Sequence, residues 1–174
     1  MLANEVYVEE GESVFDKLKQ NLKTTFNFAE DNSKIQDCYA QIERIPKTFN
    51  RETTYIVLSV GGNDIINSPD ITKSEEKLKD LQADYVKLIK EIKIKFPRAN
   101  LLILNIYKPV STFYKMFYNV IDKWNKFLIE TKIYEYEIVD VEKIINSSND
   151  FVNDIEPSEI GGAKIANEIM SHVK

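Results

Sequence analysis

The chain has 174 residues and contains almost no cysteine or histidine, which limits the chemistry open to it. Its one cysteine, Cys38, excludes an internal disulfide framework and a metal site built on cysteines. Its one histidine, His172, excludes any metal site that needs two histidines. We therefore expect neither a bound metal nor an organic cofactor.

Long apolar runs and an excess of positive charge are missing as well. No apolar run reaches the ~18 residues that a membrane-spanning helix needs. The first five residues do not combine a basic segment with an apolar one, so no signal peptide is visible. The formal net charge of −5 and the pI of about 5.1 disfavour attraction to nucleic acid. These features predict a cytoplasmic protein with no membrane span and no nucleic-acid partner.

What the sequence does contain is enough apolar surface for the core of one domain over residues 1–174. Hydrophobic residues make up 43% of the chain and aromatic residues 11%. Strand-like runs alternate with segments of helical periodicity, the last helix falling at 157–173; the four predicted strands are Phe26–Ala29, Tyr55–Val60, Leu101–Ile106 and Tyr136–Val141. This alternation predicts a three-layer α/β fold around a mostly parallel sheet.

Three segments lie where such folds bind ligands, outside the carboxyl ends of strands. Gly61-Gly62-Asn63-Asp64 follows a strand; its glycines allow a tight turn, and the Asn63 amide can donate to a developing oxyanion or merely bond turn backbone. Residues 27–33 lead into a helix, whose first backbone amides face the same edge. Residues 153–158 lead into the final helix. We expect these segments to meet in one cleft.

Taken in order, these segments resemble the sequence blocks of the SGNH, or GDSL-type, serine hydrolase family. Gly61-Gly62-Asn63-Asp64 matches a Gly-x-Asn-Asp block, and residues 153–158 have the frame of an Asp-x-x-His block. The resemblance implies a flavodoxin-like fold with strand order 2-1-3-4-5 and hydrolysis of a small ester or acyl substrate. It also implies an oxyanion hole formed by the Asn63 side chain and by backbone amides at Gly62 and Asn32.

The chain departs from this family at its acid–base residues. Alignment places Asn153 at the aspartate position, with Asp154 one residue away, and Glu156 at the position of the catalytic histidine. Glu156 and Asp154 are then the only acid–base candidates. A glutamate with an ordinary pKa of ~4.3 is a weak base and a poor acid at neutral pH. Glu156 can alternatively be interpreted as a cap of the final helix.

The nucleophile is the second departure, because the chain has no Gly-Asp-Ser block. Ser13 is the one substitute near the N-terminus, but it precedes Asn32 by only 19 residues, fewer than a loop, a helix and a strand need. The other alignment places the nucleophile upstream of Met1. The sheet would then lack its first, central strand, and either residues 6–8 or direct pairing of the two neighbouring strands would fill the gap.

Two functions remain open at this point. One is an ester or acyl hydrolase, active in a form that carries the serine; the other is a non-catalytic domain that keeps the cleft for binding or interaction. A phosphate-binding flavodoxin-like domain is disfavoured, because no phosphate-loop lysine follows the glycines and because Glu30 and Asp31 would repel an anion. The sequence assigns neither a substrate nor an oligomeric state.

Overall fold

The computed structural model describes residues 1–67, 74–131 and 134–174, and the side chains of residues 74–76 lie outside that description. The described α-helices are α1 (Val14–Asn21), α2 (Cys38–Arg44), α3 (Gly62–Ile66), α4 (Ser74–Lys95), α5 (Tyr118–Glu130), α6 (Val141–Ile144) and α7 (Glu159–Ser171). The described strands are β1 (Tyr55–Leu58), β2 (Asn100–Leu104), β3 (Glu137–Val139), β4 (Phe151–Val152) and β5 (Glu156–Pro157). Short 3₁₀ helices cover Lys47–Phe49, Thr112–Phe117 and Ser148–Asp150.

The main sheet is parallel and has β2 between β1 and β3. Ile56 of β1 lies opposite Leu101, and Ile103 of β2 lies opposite Ile138. The remaining strands, β4 and β5, form a small antiparallel hairpin that leads into α7. The predicted α/β fold with a mostly parallel sheet is confirmed.

Helices cover both faces of the sheet and form two apolar cores. Alternate side chains of a strand point to opposite faces, so β2 contributes to both cores. Leu101 and Ile103 pack with the core on the side of α2, α4 and α5. Leu102 and Leu104 pack with the core on the side of α1, α6 and α7. This arrangement is the three-layer architecture expected from the alternation of strands and helices.

The predicted strand at Phe26–Ala29 was wrong, because these residues have an irregular backbone. The Phe26 ring packs on Phe49, with 4.8 Å between the ring centroids. Side chains instead of a neighbouring strand bond the local backbone: Arg44 donates to the carbonyl of Phe28 at 3.1 Å. An apolar run becomes a strand only where another strand takes up its backbone hydrogen bonds.

Neither of the two ways proposed for filling a gap in the sheet occurs among the described residues. Residues 6–8 lie in a turn, and residues 26–29 do not pair with β1. The three strands of the main sheet are neighbours in chain order, as the last three strands of the 2-1-3-4-5 order are. The side of β1 away from β2 therefore has no strand partner in the described part of the chain.

Two predicted helices begin later than expected. Residues 34–37 form a turn in which the Asp37 carboxylate accepts from the amide of Lys34 at 2.8 Å, and α2 starts only at Cys38. The final helix begins at Glu159, with Ser158 as its N-cap. Among the described residues, no helix is both long enough and apolar enough to cross a membrane.

Candidate functional site

A cleft that is open to solvent lies at the carboxyl ends of β1 and β2. It is lined by residues 1–3, 29–33, 59–63, 106–107 and 155–156, together with Ile66, Leu104, Pro109 and Ile121. The three segments that the sequence places at strand ends thus contribute to one site. Its position is the usual one for ligands in open α/β sheets.

The turn from β1 into α3 forms the first wall of the cleft and depends on a glycine. Gly61 has a φ of 110°, in the left-handed region where a side chain is strained. A Cβ atom at Gly61 would lie 2.5 Å from a ring carbon of Trp124, which is fully buried. Gly62, the first residue of α3, has open space where its Cβ would be. Close packing on Trp124 therefore positions the residues that follow.

Asn63 and Asp64 connect this wall, through hydrogen bonds, to the opposite side of the cleft at residues 33–35. The Asn63 side-chain amide donates to the carbonyl of Ser33 at 3.1 Å. The Asp64 carboxylate accepts from the backbone amide of Ile35 at 3.2 Å. Burial raises the pKa of Asp64 to about 6. Asn63 lies in the cleft as expected, and its amide is bonded to backbone.

The second wall is the irregular segment 29–33, in which the Asp31 carboxylate accepts hydrogen bonds from nearby donors. Asn32, whose backbone amide the family resemblance assigns to the oxyanion hole, has a φ of 58°, a left-handed conformation. Its backbone amide donates to Asp31 at 2.8 Å, and its side-chain amide donates to the same carboxylate at 3.0 Å. The Tyr7 hydroxyl also donates to Asp31, at 2.7 Å. The amide expected in the oxyanion hole is therefore bonded to a carboxylate.

The sequence analysis did not predict the hydrogen bond between Tyr7 and Asp31. They are 24 residues apart, and no local pattern connects them. The hydrogen bond to Asp31, followed by burial and by the charge of that carboxylate, raises the pKa of Tyr7 to about 12. The charge of Glu156 contributes to the same shift. Both carboxylates therefore disfavour ionisation of the Tyr7 hydroxyl.

Glu156 lies in the cleft, on β5. One of its carboxylate oxygens is 3.4 Å from the backbone nitrogen of Met1, and its side chain is 19% exposed. Its interpretation as a cap of the final helix was wrong, because the Ser158 hydroxyl accepts from the amide of Gly161 at 3.2 Å instead. Glu156 therefore lines the cleft and does not cap the helix.

Tyr107 follows the strand β2 and forms part of the wall beside Glu156. Its hydroxyl donates to the carbonyl of Ile155 at 2.8 Å. Burial, and to a smaller degree the charge of Glu156, raises the pKa of Tyr107 well above its ordinary value. Lys108 points elsewhere and forms ion pairs with Asp122 and Glu142.

Asp154 and Ser13 do not line the cleft. Asp154 is exposed in the turn between β4 and β5 and has a φ of 66°. Ser13 is fully buried as the N-cap of α1; its hydroxyl donates to the Asp16 carboxylate at 2.6 Å and accepts from the Asp16 amide at 3.1 Å. Ser13 therefore has a complete structural role away from the cleft.

The serines that do line the described cleft are Ser33 and Ser59. The Ser33 hydroxyl donates to the carbonyl of Glu30 at 2.8 Å, and that of Ser59 lies 3.4 Å from the sulfur of Met1. Neither bonds to a carboxylate or to a histidine. His172, at the end of α7, lies 3.0 Å from Glu137 instead. In the described part of the chain, no group of three or more His, Cys, Asp or Glu side chains is placed to hold a metal ion.

Solved structures with this fold include several lipolytic proteins. A lipase, Lip_vut3, from a goat rumen metagenome superimposes with a TM-score of 0.74 at 15% identity, covering 98% of this chain and 92% of its own. A member of the lipolytic G-D-S-L family from Veillonella parvula has the same TM-score and coverages at 17% identity. The OSK domain of Drosophila Oskar superimposes with a TM-score of 0.61 at 17% identity, covering 91% of this chain and 84% of its own. At these identities the likeness shows the fold alone.

Sequence comparison identifies the family directly. No curated protein matches the chain significantly. The model of the GDSL-like lipase/acylhydrolase family matches residues 2–169, which is nearly the whole chain. The Gly-x-Asn-Asp turn and the cleft at the strand ends agree with that match. The chain therefore belongs to the GDSL-like lipase/acylhydrolase family.

Proposed function

We propose that this 174-residue chain is a non-catalytic member of its family that uses the cleft to bind a small ligand. The observation that carries the proposal is the environment of Glu156, the residue at the histidine position. Among the described residues, neither cleft serine has its hydroxyl hydrogen-bonded to that carboxylate. The residue at the histidine position thus has no serine to activate in the described cleft.

The chemistry of acyl transfer supports this proposal. A serine hydrolase needs a serine bonded to a base, and amide donors aimed at the developing oxyanion. The two described cleft serines bond to a backbone carbonyl and contact a thioether. The amide of Asn32 is bonded to Asp31, and a carboxylate beside an oxyanion would oppose its formation.

The cleft nevertheless keeps the shape of a binding site. Gly61 packs on Trp124 and allows the tight turn from β1 into α3, and apolar side chains line the base of the cleft. A concave site with an apolar lining and a few polar groups is the usual form of a small-molecule site. A cleft of this form, with no activated serine among the described residues, therefore favours binding.

Ester or acyl hydrolysis is the second candidate, and the cleft position of Asn63 and Gly62 favours it. In that case the Asn63 side chain and the amides of Gly62 and Asn32 would stabilise the oxyanion, and Glu156 would act as the base. Asp154 lies in an exposed turn outside the cleft and would have to act from a distance.

A fluorophosphonate probe distinguishes the two candidates, because it labels an activated serine covalently. We expect no labelling of the chain and no hydrolysis of a short acyl ester above that of the Ser13→Ala variant. An active serine hydrolase treated in the same way is the positive control. Labelling of any serine, located by peptide mass spectrometry, would overturn the proposal. So would a natural form heavier than 20.2 kDa that contains Gly-Asp-Ser and hydrolyses the ester.

A further inference from the structure

We infer that the Asp64 carboxyl is a pH-dependent switch for the acidic arm, residues 29–33, so that the arm stays packed against α3 when this group is protonated and opens when it is ionised. The inference rests on the proposed function, since it assigns a form of regulation to the same cleft. Three features carry it: the exposure of the arm, its attachment to α3, and the burial of the Asp64 carboxyl against a neutral donor.

The acidic arm has the features of a segment that opens locally. None of residues 29–33 is buried, and none of them belongs to a helix or a strand. The hydrogen bond from Tyr7 to the Asp31 carboxylate is exposed to solvent. The ion pair between Glu30 and Arg44, at 2.6 Å, is exposed as well. Segments with few buried apolar contacts open at a low cost in free energy, so the arm can open while both cores stay intact.

The arm is attached where the chain returns to the core. Ile35 is 3% exposed and packs in the core on the side of α2, α4 and α5. Just before it, the Ser33 carbonyl accepts from the Asn63 side chain of α3 at 3.1 Å. The Ser33 hydroxyl accepts from Gln41 of α2 at 2.7 Å. Both bonds are partly shielded from solvent, so the arm has a fixed end at Ile35 and opens only when the bonds at Ser33 break.

Asp64 lies beside this fixed end, with its carboxylate against a neutral donor. The backbone nitrogen of Ile35 is 3.2 Å from one carboxylate oxygen and 3.4 Å from the other. A carboxylate removed from water needs an opposite charge or several donors to offset its lost hydration. A protonated carboxyl still accepts a hydrogen bond through its carbonyl oxygen, and it carries no charge to hydrate. The closed arm therefore suits the protonated form of Asp64 better than the ionised form.

The other ionisable groups around Asp64 leave this preference in place. The charge of Lys34 favours ionisation of Asp64, whereas that of Asp37 disfavours it. The Cys38 thiol adds no charge, because burial raises its pKa to about 12. The backbone amides of Ile35 and of Asp64 itself favour the carboxylate, but burial outweighs them and raises the pKa of Asp64 to about 6.

Ionisation of Asp64 therefore favours opening of the arm. After opening, the hydrated carboxyl should return toward its ordinary pKa of ~3.9, so between pH ~3.9 and about 6 the closed form binds more protons. A rise in pH through this range shifts the arm toward the open form. The full difference in pKa would change the opening equilibrium about 100-fold, and because solvent reaches part of the carboxyl we expect about tenfold. The cleft then loses its second wall more often above about pH 6.

Native-state hydrogen exchange tests the inference, with each rate divided by that of the unfolded chain at the same pH. The amides of Lys34 and Ile35 are the reporters, because they donate to Asp37 and Asp64. We expect their protection to fall about tenfold between about pH 5 and about pH 7.5. Low concentrations of urea should leave this exchange unchanged and accelerate that of β2, because local opening exposes little surface whereas global unfolding exposes much.

Removal of one ionisable group locates the effect. Asp64→Asn keeps an oxygen that accepts from the Ile35 amide and cannot ionise, so its arm should have the protection of the low-pH form at both pH values. Asp37→Asn is the matched control, because Asp37 lies in the same turn and bonds to the Lys34 amide. This variant should keep the pH dependence. Circular dichroism checks that each variant is folded.

A titration of the unmodified protein by NMR provides the same test if Asp64→Asn is unfolded. The signals of the Asp64 carboxyl carbon and of the Ile35 amide should change with one midpoint, near pH 6. The loss of protection in the arm should have that midpoint too.

The outcomes separate this inference from the proposed function. Protection of the arm that does not change with pH, or a pH dependence that persists in Asp64→Asn, would overturn the switch. So would different midpoints for the carboxyl and the amide, or exchange in the arm that urea accelerates as it does in β2. Each of these results would leave the non-catalytic function intact. Fluorophosphonate labelling would overturn that function, whatever the exchange shows.

Discussion

The two walls of the cleft are built in different ways. The glycine wall, residues Gly61–Asp64, joins a strand to a helix and packs on the fully buried Trp124. The acidic arm, residues 29–33, has no regular secondary structure and is held by hydrogen bonds that involve side chains. Close packing tolerates little change in volume, whereas single polar bonds each contribute about 1 kcal/mol. The first wall should therefore be the more sensitive to substitution.

The largest effect is expected at Gly61. The Gly61→Ala variant should lose roughly 2–5 kcal/mol of unfolding free energy, because the left-handed backbone and the Trp124 ring both resist a side chain. Gly62→Ala is the matched control, with open space for its Cβ and a helical position. It should leave stability unchanged or raise it by about 0.5–1 kcal/mol. Urea unfolding measures both, and equal losses would contradict the contrast between the neighbours.

A smaller effect is expected where the two walls are joined. Asn63→Ala removes the hydrogen bond to the Ser33 carbonyl and should cost about 1 kcal/mol. Hydrogen exchange should become faster in the acidic arm and stay unchanged in β2. Asn67→Ala, at the exposed end of α3, controls for loss of an asparagine. Unchanged exchange in the arm would show that Asn63 does not hold it.

The Asp64 carboxyl makes the contribution of this connection to stability dependent on pH. Its pKa is about 6 in the folded protein against ~3.9 in an unfolded chain, so between these values the folded state binds more protons. Stability should therefore fall as pH rises from about 4 to about 6 and then level off. Because the carboxyl is only partly buried, solvent screening reduces the effect to about 1 kcal/mol.

The Asp64→Asn variant isolates this contribution from those of the other carboxylates. We expect the unmodified protein to lose about 1 kcal/mol relative to Asp64→Asn between about pH 4.5 and pH 7. Urea unfolding of both proteins at the two pH values measures the difference. Parallel pH profiles would mean that the Asp64 carboxyl has an ordinary pKa.

The smallest effect is expected in the acidic arm itself. Asn32 already has a left-handed backbone, which glycine adopts without strain. Asn32→Gly should change the unfolding free energy by less than about 0.5 kcal/mol, whereas Asn32→Ala should cost about 1 kcal/mol. A loss in Asn32→Gly as large as that in Asn32→Ala would assign the effect to the side-chain bond with Asp31 and not to the backbone.

The contrast between the walls also explains which parts of the site could be predicted. The glycine wall is encoded locally, because a β-branched strand followed by two glycines leaves few conformations open to the turn. The segment at 26–29 is also mostly apolar, but a strand needs a partner, and these residues pair with no strand in the described structure. The pairing of Tyr7 with Asp31 spans 24 residues and has no sequence signal.

The sequence by itself determined the alternation of helices and strands, the Gly-x-Asn-Asp turn and the position of Glu156 in the family alignment. These features depend on periodicity, on glycine at positive φ and on motif spacing, all of which are read over a few residues. Only the tertiary structure decided that Ser158 caps α7, that Ser13 is a buried cap, and that Tyr7 bonds to Asp31, 24 residues away. Those outcomes depend on contacts between distant segments, and such contacts arise only when the whole chain packs into its two cores.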